Sequence, residues 1–211
     1  MAARALPAVA LLASISGDLA NAQAGGGAPH LLPVPLISQS SSWTCGSAAL
    51  MAALVYFGVF DDPQSRLDAE LAATPRDGTR VRNIVAVARR FGLRAAARTE
   101  LSLDDLAGEL RDGAVVIVAL QAWAGKQVTD WRSDWEDGHY VVVVGVTGDR
   151  VYVMDPSVRT GYAYLARDQF LERWHDYDQD GDRKKIWNRL GIVLQGGAGL
   201  RRYPAEPTPV E

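Results

Sequence analysis

Four side chains in this sequence have the types that together attack a carbonyl group: a thiol, an imidazole, a carboxylate and an amide. Cys45 is the single cysteine of the 211-residue chain, and Gln39 precedes it by six positions. His139 begins the apolar run HYVVVVGV, and Asp155 ends the run RVYVMD that follows. Such a set can supply a nucleophile, a general base, a group that orients the base, and an oxyanion donor.

Cys45 stands where a helix is predicted to begin. The segment TCGSAALMAALVYF, from about Thr44 to Phe57, is apolar on nearly every side, which predicts a helix buried all round. A thiol at a helix N-terminus meets unpaired amides and the positive end of the dipole, and both favour the thiolate. The backbone amide of Cys45 would be a second oxyanion donor beside Gln39, and Gly46 would let another chain approach closely. The alternative is that Cys45 is a small apolar core residue.

The partner of the thiol is chosen from three histidines, His30, His139 and His175. His30 falls in a flexible lead-in, and His175 falls in the acidic stretch WHDYDQDGD, which we interpret as solvated. His139 opens a β-branched run that predicts a buried strand, and a rigid strand can hold an imidazole against a groove. Otherwise His139 is a strand-edge histidine, and Asp155 is a turn residue before a proline.

Strand geometry decides whether His139 and Asp155 can touch, because side chains alternate between the two faces of a sheet. A two-residue turn at Gly148-Asp149 without a bulge would put them on opposite faces. We therefore predict a three-residue loop, 147–149, that pairs Val146 with Arg150, sets Val141 opposite Asp155, and has a left-handed residue at Gly148 or Asp149.

The order of elements predicts an α+β domain. Helical patterns dominate up to Gly113, and β-branched or alternating runs dominate from Ala114 to Gln195. Helices first and antiparallel strands second would form two halves that face each other, with a site in the groove between them.

The ends of the chain differ in composition from its middle. Residues 1–24 have one arginine, an apolar run and a small-residue Ala22-Gln23-Ala24 ending, which predicts a secretory signal peptide. The alternative is a disordered alanine-rich tail. We assign residues 25–32 to a flexible linker, 33–197 to the folded domain and 198–211 to a polar tail. A signal peptide predicts a secreted or periplasmic protein with no membrane span in its mature part.

The overall charge of the chain bears on the kind of partner that it can bind. Charged residues make up 22% of the chain and its formal net charge is -3, which argues against nucleic acid as a partner.

Two further stretches have residue types that could bind a ligand. The stretch Asp176–Asp182 resembles the first half of a calcium loop, but Trp187 stands where a bidentate glutamate is needed, so we favour a solvated acidic loop. Trp123, Trp131 and Trp135 precede His139 and would line substrate subsites or a lid, or pack the loop onto the core.

The motifs Q-x5-C-G-x-A-x-L, from Gln39 to Leu50, and HYVVVVGV…VYVMDPS, from His139 to Ser157, resemble those of the bacteriocin-processing, double-glycine leader peptidases. They resemble most closely the stand-alone peptidase C39-like proteins, and the resemblance covers about residues 33 to 195. It implies a papain-like fold without a cofactor, in which Cys45 is the nucleophile, His139 the base, Asp155 its orienting partner and Gln39 the oxyanion donor.

Our hypothesis from the sequence is an exported, papain-like cysteine peptidase that binds a peptide or protein substrate. The residues expected to contact the substrate are Gly46, Trp43, Trp135 and Gly138. Three alternatives remain: an acyltransferase on the same triad (transpeptidase or transglutaminase-like), a catalytically silent peptide-binding module, and a cytoplasmic leader peptidase whose N-terminus only imitates an export signal. The sequence does not indicate the oligomeric state.

Overall fold

The computed structural model describes residues 30–123 and 130–200. The predicted signal peptide and most of the predicted linker and tail lie outside these residues. The α-helices are α1 (Cys45–Tyr56), α2 (Gln64–Glu70), α3 (Val81–Arg90), α4 (Leu103–Arg111) and α5 (Arg167–Arg173). The strands are β1 (Arg94–Arg98), β2 (Val115–Gln121), β3 (Gly138–Val146), β4 (Arg150–Met154), β5 (Ala163–Ala166), β6 (His175–Asp180), β7 (Arg183–Asn188) and β8 (Gly191–Gln195). A 3-10 turn covers Trp131–Ser133.

A six-stranded antiparallel sheet forms the centre of the domain. Its strand order is β1-β8-β2-β3-β4-β5, and β6 and β7 form a separate two-stranded sheet. Helices α1 and α3 pack on one face of the large sheet, while α4 and α5 pack on the other. Every residue of β2 is buried, as expected for a central strand covered on both faces. The predicted α+β class is therefore confirmed, with helices on two faces of the sheet.

Helix α1 is the buried helix that the sequence predicts, and Cys45 is its first residue. Ten of its twelve residues are buried, so the apolar surface is covered on all sides. Thr44 is the N-cap residue, but its hydroxyl bonds back to Ser41 and leaves the first-turn amides without a side-chain cap. Gly58 follows the helix in the left-handed conformation, with φ of 67°, which is common after a helix C-terminus. The start of α1 therefore keeps unpaired N–H groups beside the thiol.

The turn between β3 and β4 is not the predicted one. It is a two-residue turn at Gly148-Asp149, and Val146 pairs with Val151 instead of the expected Arg150. Neither Gly148 nor Asp149 has a positive φ, so the predicted left-handed residue is also absent from this described turn. By itself this turn would put the two predicted partners, His139 and Asp155, on opposite faces of the hairpin.

A β-bulge in β3 restores the alignment. The register shifts between Val143 and Gly145, where the strand has one extra residue. Beyond the bulge the pairing continues in the predicted register, which sets Val141 opposite Asp155 and leaves His139 on the same face as Asp155. The predicted register at the Asp155 end of the hairpin was therefore right. A β-bulge in β3, and not a three-residue loop, produces that register.

The predicted acidic loop is a strand. Residues 175–180 form β6, which pairs along its whole length with β7, so the interpretation as a solvated loop was wrong. His175 is buried, and its Nε2 lies 2.8 Å from the carbonyl oxygen of Asp134. Among the described residues, no group of three or more His, Cys, Asp or Glu side chains is placed to hold a metal ion.

The start of the predicted tail contacts the domain. The N–H of Leu200 donates to the carbonyl of Tyr56, the last residue of α1, so residues 198–200 are not free of the fold. No helix in the described part of the chain has the length and apolar character required to cross a bilayer.

Candidate active site

The structure brings His139 and Asp155 together at the open end of the hairpin. His139 Nε2 lies 2.7 Å from Asp155 Oδ1, and the His139 side chain is completely buried. A carboxylate can only accept, so Nε2 carries the proton. The other ring nitrogen, Nδ1, is then the one left for the thiol. It is buried and has no hydrogen-bond partner among the described residues.

Cys45 interacts with the same imidazole. Burial alone would lower the pKa of His139, but the hydrogen bond to Asp155 and the adjacent Cys45 raise it to about 9. The imidazole therefore favours its charged form, in spite of being buried, because both neighbours interact favourably with the cation. Cys45 is itself 8% exposed and lines a cleft.

Asp155 is held in place by the turn that follows β4. Its Oδ1 accepts from the Ser157 N–H at 2.8 Å and from the Ser157 hydroxyl at 2.7 Å, in addition to His139. Burial would raise the pKa of Asp155, but His139 and the two Ser157 donors lower it below its usual value. The sequence DPS therefore forms a turn, as its residue types suggest, and that turn fixes the carboxylate that meets the imidazole.

Gln39 lies on the segment next to this turn. Its backbone N–H donates to the carbonyl of Pro156 at 3.0 Å, so the chain before α1 is tied to the residue after Asp155. Its Nε2 donates to Ser41 O at 2.9 Å, which leaves the second N–H of the amide free of that bond. The Oε1 atom is buried without a partner in the described chain. Gln39 is thereby fixed to the same corner of the molecule as the other three side chains.

A cleft of about 440 Å³ opens at Cys45. Trp43 and Trp135, both predicted to contact substrate, line it, and so does Gly138. A second cavity of about 530 Å³ begins at Asp178 and extends along α3, but Cys45 does not line it. The cleft at Cys45 is therefore the one in which a bound molecule would meet the thiol.

Two of the predicted contact residues are glycines, and in both cases the close neighbour belongs to the chain itself. A Cβ on Gly46 would stand 2.7 Å from Thr79 Cβ, so the approach that we assigned to a substrate is made by Thr79. A Cβ on Gly138 would stand 2.7 Å from both carboxylate oxygens of Asp176. These glycines allow β6 and the segment before α3 to pack beside the nucleophile and the imidazole.

The three tryptophans before His139 have three different positions. Trp131 is buried under the guanidinium of Arg173, 3.6 Å from its ring centre, so it packs the loop onto the core. Trp135 lines the cleft and contacts the ring of His175, with 4.5 Å between ring centres. Trp123 contacts the His139 ring at 4.6 Å. Trp131 therefore packs the loop onto the core, whereas a role of Trp123 or Trp135 in a substrate subsite or a lid stays a prediction.

Asp176 is a cleft residue that sequence reasoning assigned to a solvated loop. Burial is the main reason that its pKa rises to about 7, and nearby Asp178 raises it further. The Tyr177 N–H, at 2.8 Å, and the Gln121 side chain oppose that rise. The available signal was the alternation of polar and aromatic residues in HDYDQD, which fits a half-exposed strand.

The fold and the site together define a class. A thiol at the start of a buried helix, facing an imidazole and a carboxylate on an antiparallel sheet, is the arrangement of a papain-like cysteine peptidase domain. The model of the Peptidase C39 family matches residues 33–178, and the chain belongs to that family. It therefore carries a cysteine-type peptidase domain of the hydrolase class.

Two curated relatives are similar in sequence to part of this chain. The transport/processing ATP-binding protein ComA of Streptococcus pneumoniae, strains R6 and TIGR4, is 29% identical over 137 residues. The match covers 64% of this chain but 17% of the relatives, so this chain corresponds to a small part of those proteins.

Solved structures share the fold. A C39-like peptidase from Bacillus anthracis aligns with a TM-score of 0.58 at 16% identity, over 82% of this chain and 100% of its own. The peptidase domain of Streptococcus ComA aligns at 0.55 and 19% identity, over 76% and 97%. A double-glycine motif protease from an AMS/PCAT transporter, solved with the leader peptide, aligns at 0.52 and 22% identity, over 79% and 94%.

Proposed function

We propose that this protein is an exported cysteine peptidase that hydrolyses peptide bonds with Cys45 as nucleophile, His139 as acid and base, and Asp155 as the orienting carboxylate. One observation carries the proposal: a buried imidazole lies with its Nε2 2.7 Å from Asp155 Oδ1, and Cys45 is near enough to interact with the same ring. An imidazole held in this way keeps one nitrogen for the thiol.

The reaction follows from that arrangement. The sulfur of Cys45 attacks the scissile carbonyl carbon as a thiolate, and the His139 imidazolium gives its proton to the departing amine. The acyl group is then bound to sulfur as a thioester. His139, now neutral, takes a proton from water as the water oxygen attacks the thioester carbon. The C–S bond then breaks, the acid product leaves, and Cys45 is released as a thiolate beside the reprotonated His139. Asp155 stays ionised throughout and stabilises the imidazolium.

Hydrogen-bond donors must stabilise the negative charge that develops on the carbonyl oxygen during the attack. Gln39 supplies one through its Nε2, and the backbone N–H of Cys45, in the first turn of α1, supplies the other. This role for Gln39 is supported by the hydrogen bond between its own N–H and Pro156 O, which ties it to the corner that holds Asp155.

The proposed substrate is a peptide in the cleft between α1 and β6. The cleft has a volume of about 440 Å³, and Trp43, Trp135 and Gly138 line it together with Cys45. One structural neighbour was solved with a leader peptide, which supports a peptide substrate for this chain as well. Export is proposed from residues 1–24, and mass measurement of the mature N-terminus near Gly25 tests it.

Peptide profiling tests the proposed activity. The wild-type protein is incubated with a peptide library, and products are identified by mass, in parallel with Cys45→Ala and with Gln195→Ala as a control at the far end of β8. Cleavage by the wild type and the control, but not by Cys45→Ala, is expected. Cleavage that survives Cys45→Ala would remove the thiol from the reaction.

The same experiment separates hydrolysis from acyl transfer. With an added amine, a hydrolase gives mainly the free acid, whereas an acyltransferase gives mainly the amide of the added amine. A product mixture dominated by the amide would assign the site to the acyltransferase alternative. Absence of any turnover, with Cys45 slow to alkylate, would assign it to a silent binding module.

A further inference from the structure

Trp123 covers the ring of His139. Their ring centres are 4.6 Å apart with planes inclined by 52°. The His139 side chain is completely inaccessible to solvent, whereas Trp123 is 44% exposed. The indole therefore contacts a buried imidazole while part of its own surface is open to solvent.

Strand alternation alone would not put the indole there. Leu120 is paired with His139, and opposed residues share a face of the sheet. The Ala122 N–H still donates to the Asp137 carbonyl, so the ladder continues to Ala122, on the face of Leu120. The next residue, Trp123, would then point to the opposite face, away from His139.

The backbone at Trp123 changes that direction. Its φ is 55°, in the left-handed region, which residues with a Cβ adopt at an energetic cost. Glycine or asparagine would adopt this conformation with less strain, but neither would bring a large ring onto the imidazole. A strained residue beside functional groups is where a role in the site is to be sought.

The charged groups that face His139 come from three elements. Asp155, after β4, accepts from Nε2; Cys45, at the start of α1, lies beside the ring; and Asp176, on β6, interacts with it electrostatically. Trp123 adds a neutral π-face within the distance of about 6 Å at which aromatic rings attract cations.

We propose that Trp123 is a positioning residue of the active site, whose indole holds the His139 ring against Asp155 and stabilises its cationic form. The proposal rests on the proposed function in so far as His139 needs that form for catalysis. The contact itself does not depend on which peptide is cleaved.

Two substitutions at position 123 distinguish the effect of an aromatic ring on His139 from the effect of any apolar side chain, because both keep a Cβ and therefore the same backbone strain. Trp123→Leu keeps an apolar cover without a ring, and Trp123→Phe keeps a ring. Histidine NMR titration of the thiol-containing protein reports His139 directly, because the chain has three histidines and His139→Asn identifies its signal. In Trp123→Leu the His139 midpoint is expected to fall by about half a pH unit, while Trp123→Phe stays near wild type.

Activity gives a second readout. For any peptide that the wild type cleaves, the alkaline limb of the kcat/KM profile should move to lower pH in Trp123→Leu and be restored in Trp123→Phe. A merely structural tryptophan would lower Tm without moving either limb or midpoint. Trp123→Met replaces the leucine variant if the latter does not fold.

An unchanged His139 midpoint in the folded leucine or methionine variant would overturn the proposal. A phenylalanine variant with the midpoint of the leucine variant would overturn it too, because the π-face would then have no part. Failure of the wild type to cleave peptides would refute the proposed function, but the NMR titration would still decide the role of Trp123.

Discussion

His139 and Asp155 meet at 2.7 Å because strand β3 contains one residue more than its partner requires. The two-residue turn at Gly148-Asp149 would separate their side chains, and the bulge between Val143 and Gly145 reverses that separation. Bulges beside active sites commonly redirect a side chain in this way. The contact between His139 and Asp155 thus depends on a local irregularity about half a strand away from the imidazole.

Asp155→Asn tests the partner of the imidazole. Burial lowers the pKa of His139, but Asp155 and Cys45 together raise it to about 9, so the imidazolium and the activity should persist up to that pH and decline above it. Asparagine cannot offer the charge, and the alkaline limb of kcat/KM should therefore move to lower pH. Asp149→Asn, in the exposed turn of the same hairpin, is the control. Identical limbs in wild type and Asp155→Asn would exclude this carboxylate.

Gln39→Ala tests the oxyanion donor. Removal of one such donor typically costs about 100-fold or more in turnover, because the developing charge loses a fixed hydrogen bond. KM should change little, since the bond strengthens only as the oxyanion forms. Gln64→Ala, at the start of α2, is the control. Full activity of Gln39→Ala would remove this amide from the site.

Gly138→Ala tests the close packing beside His139. The new methyl group would meet the Asp176 carboxylate at 2.7 Å, and overpacking of this kind costs about 1–3 kcal/mol, a fall in Tm of about 2–10 °C. Gly148→Ala, where a Cβ has open space, should be neutral. Adding Asp176→Ala to Gly138→Ala should recover most of the lost Tm. If it recovers none, the contact with Asp176 is not the cause.

Asp176→Asn tests the buried carboxyl through the pH dependence of stability. The pKa of Asp176 is raised to about 7 in the folded protein, above its ordinary 3.8, so the folded state binds the proton more tightly. Stability from this group is present below pH 3.8 and is lost as the pH rises through about 7. Asparagine does not ionise, and its advantage in unfolding free energy should grow from pH 4 to pH 8. Asp61→Asn, at an exposed position, should show no such trend, and a flat difference for Asp176→Asn would contradict the prediction.

Sequence patterns were sufficient where the determinants are local. The uniform apolar character of α1 predicted a helix buried all round. Ser102 and Asp105 form a capping box at the start of α4, another feature that residues a few positions apart determine. The β-branched runs correctly predicted β2, β3 and β4. In each case the residues that decide the structure lie within a few positions of one another.

Long-range features were not predictable in the same way. The glycine in VVVVGV is a signal for a bulge or for a close approach of another chain segment, and the sequence does not say which. The structure has both there: the register shifts between Val143 and Gly145, and Leu31 packs against Gly145. The strand β6 was missed since its residues are polar, and it is fixed by pairing with β7. The contact between Trp123 and His139 depends on a single left-handed residue, for which tryptophan gives no sequence signal.

We propose that Cys45 and His139 form a thiolate–imidazolium pair, and the rate at which Cys45 is alkylated at pH 6 tests this most directly. Because the chain has one cysteine, the iodoacetamide rate reports Cys45 alone. We predict that the wild type reacts faster than a free thiol, that His139→Ala slows the reaction, and that His30→Ala, at an exposed position, leaves it unchanged. A wild-type rate equal to that of His139→Ala would contradict the pair.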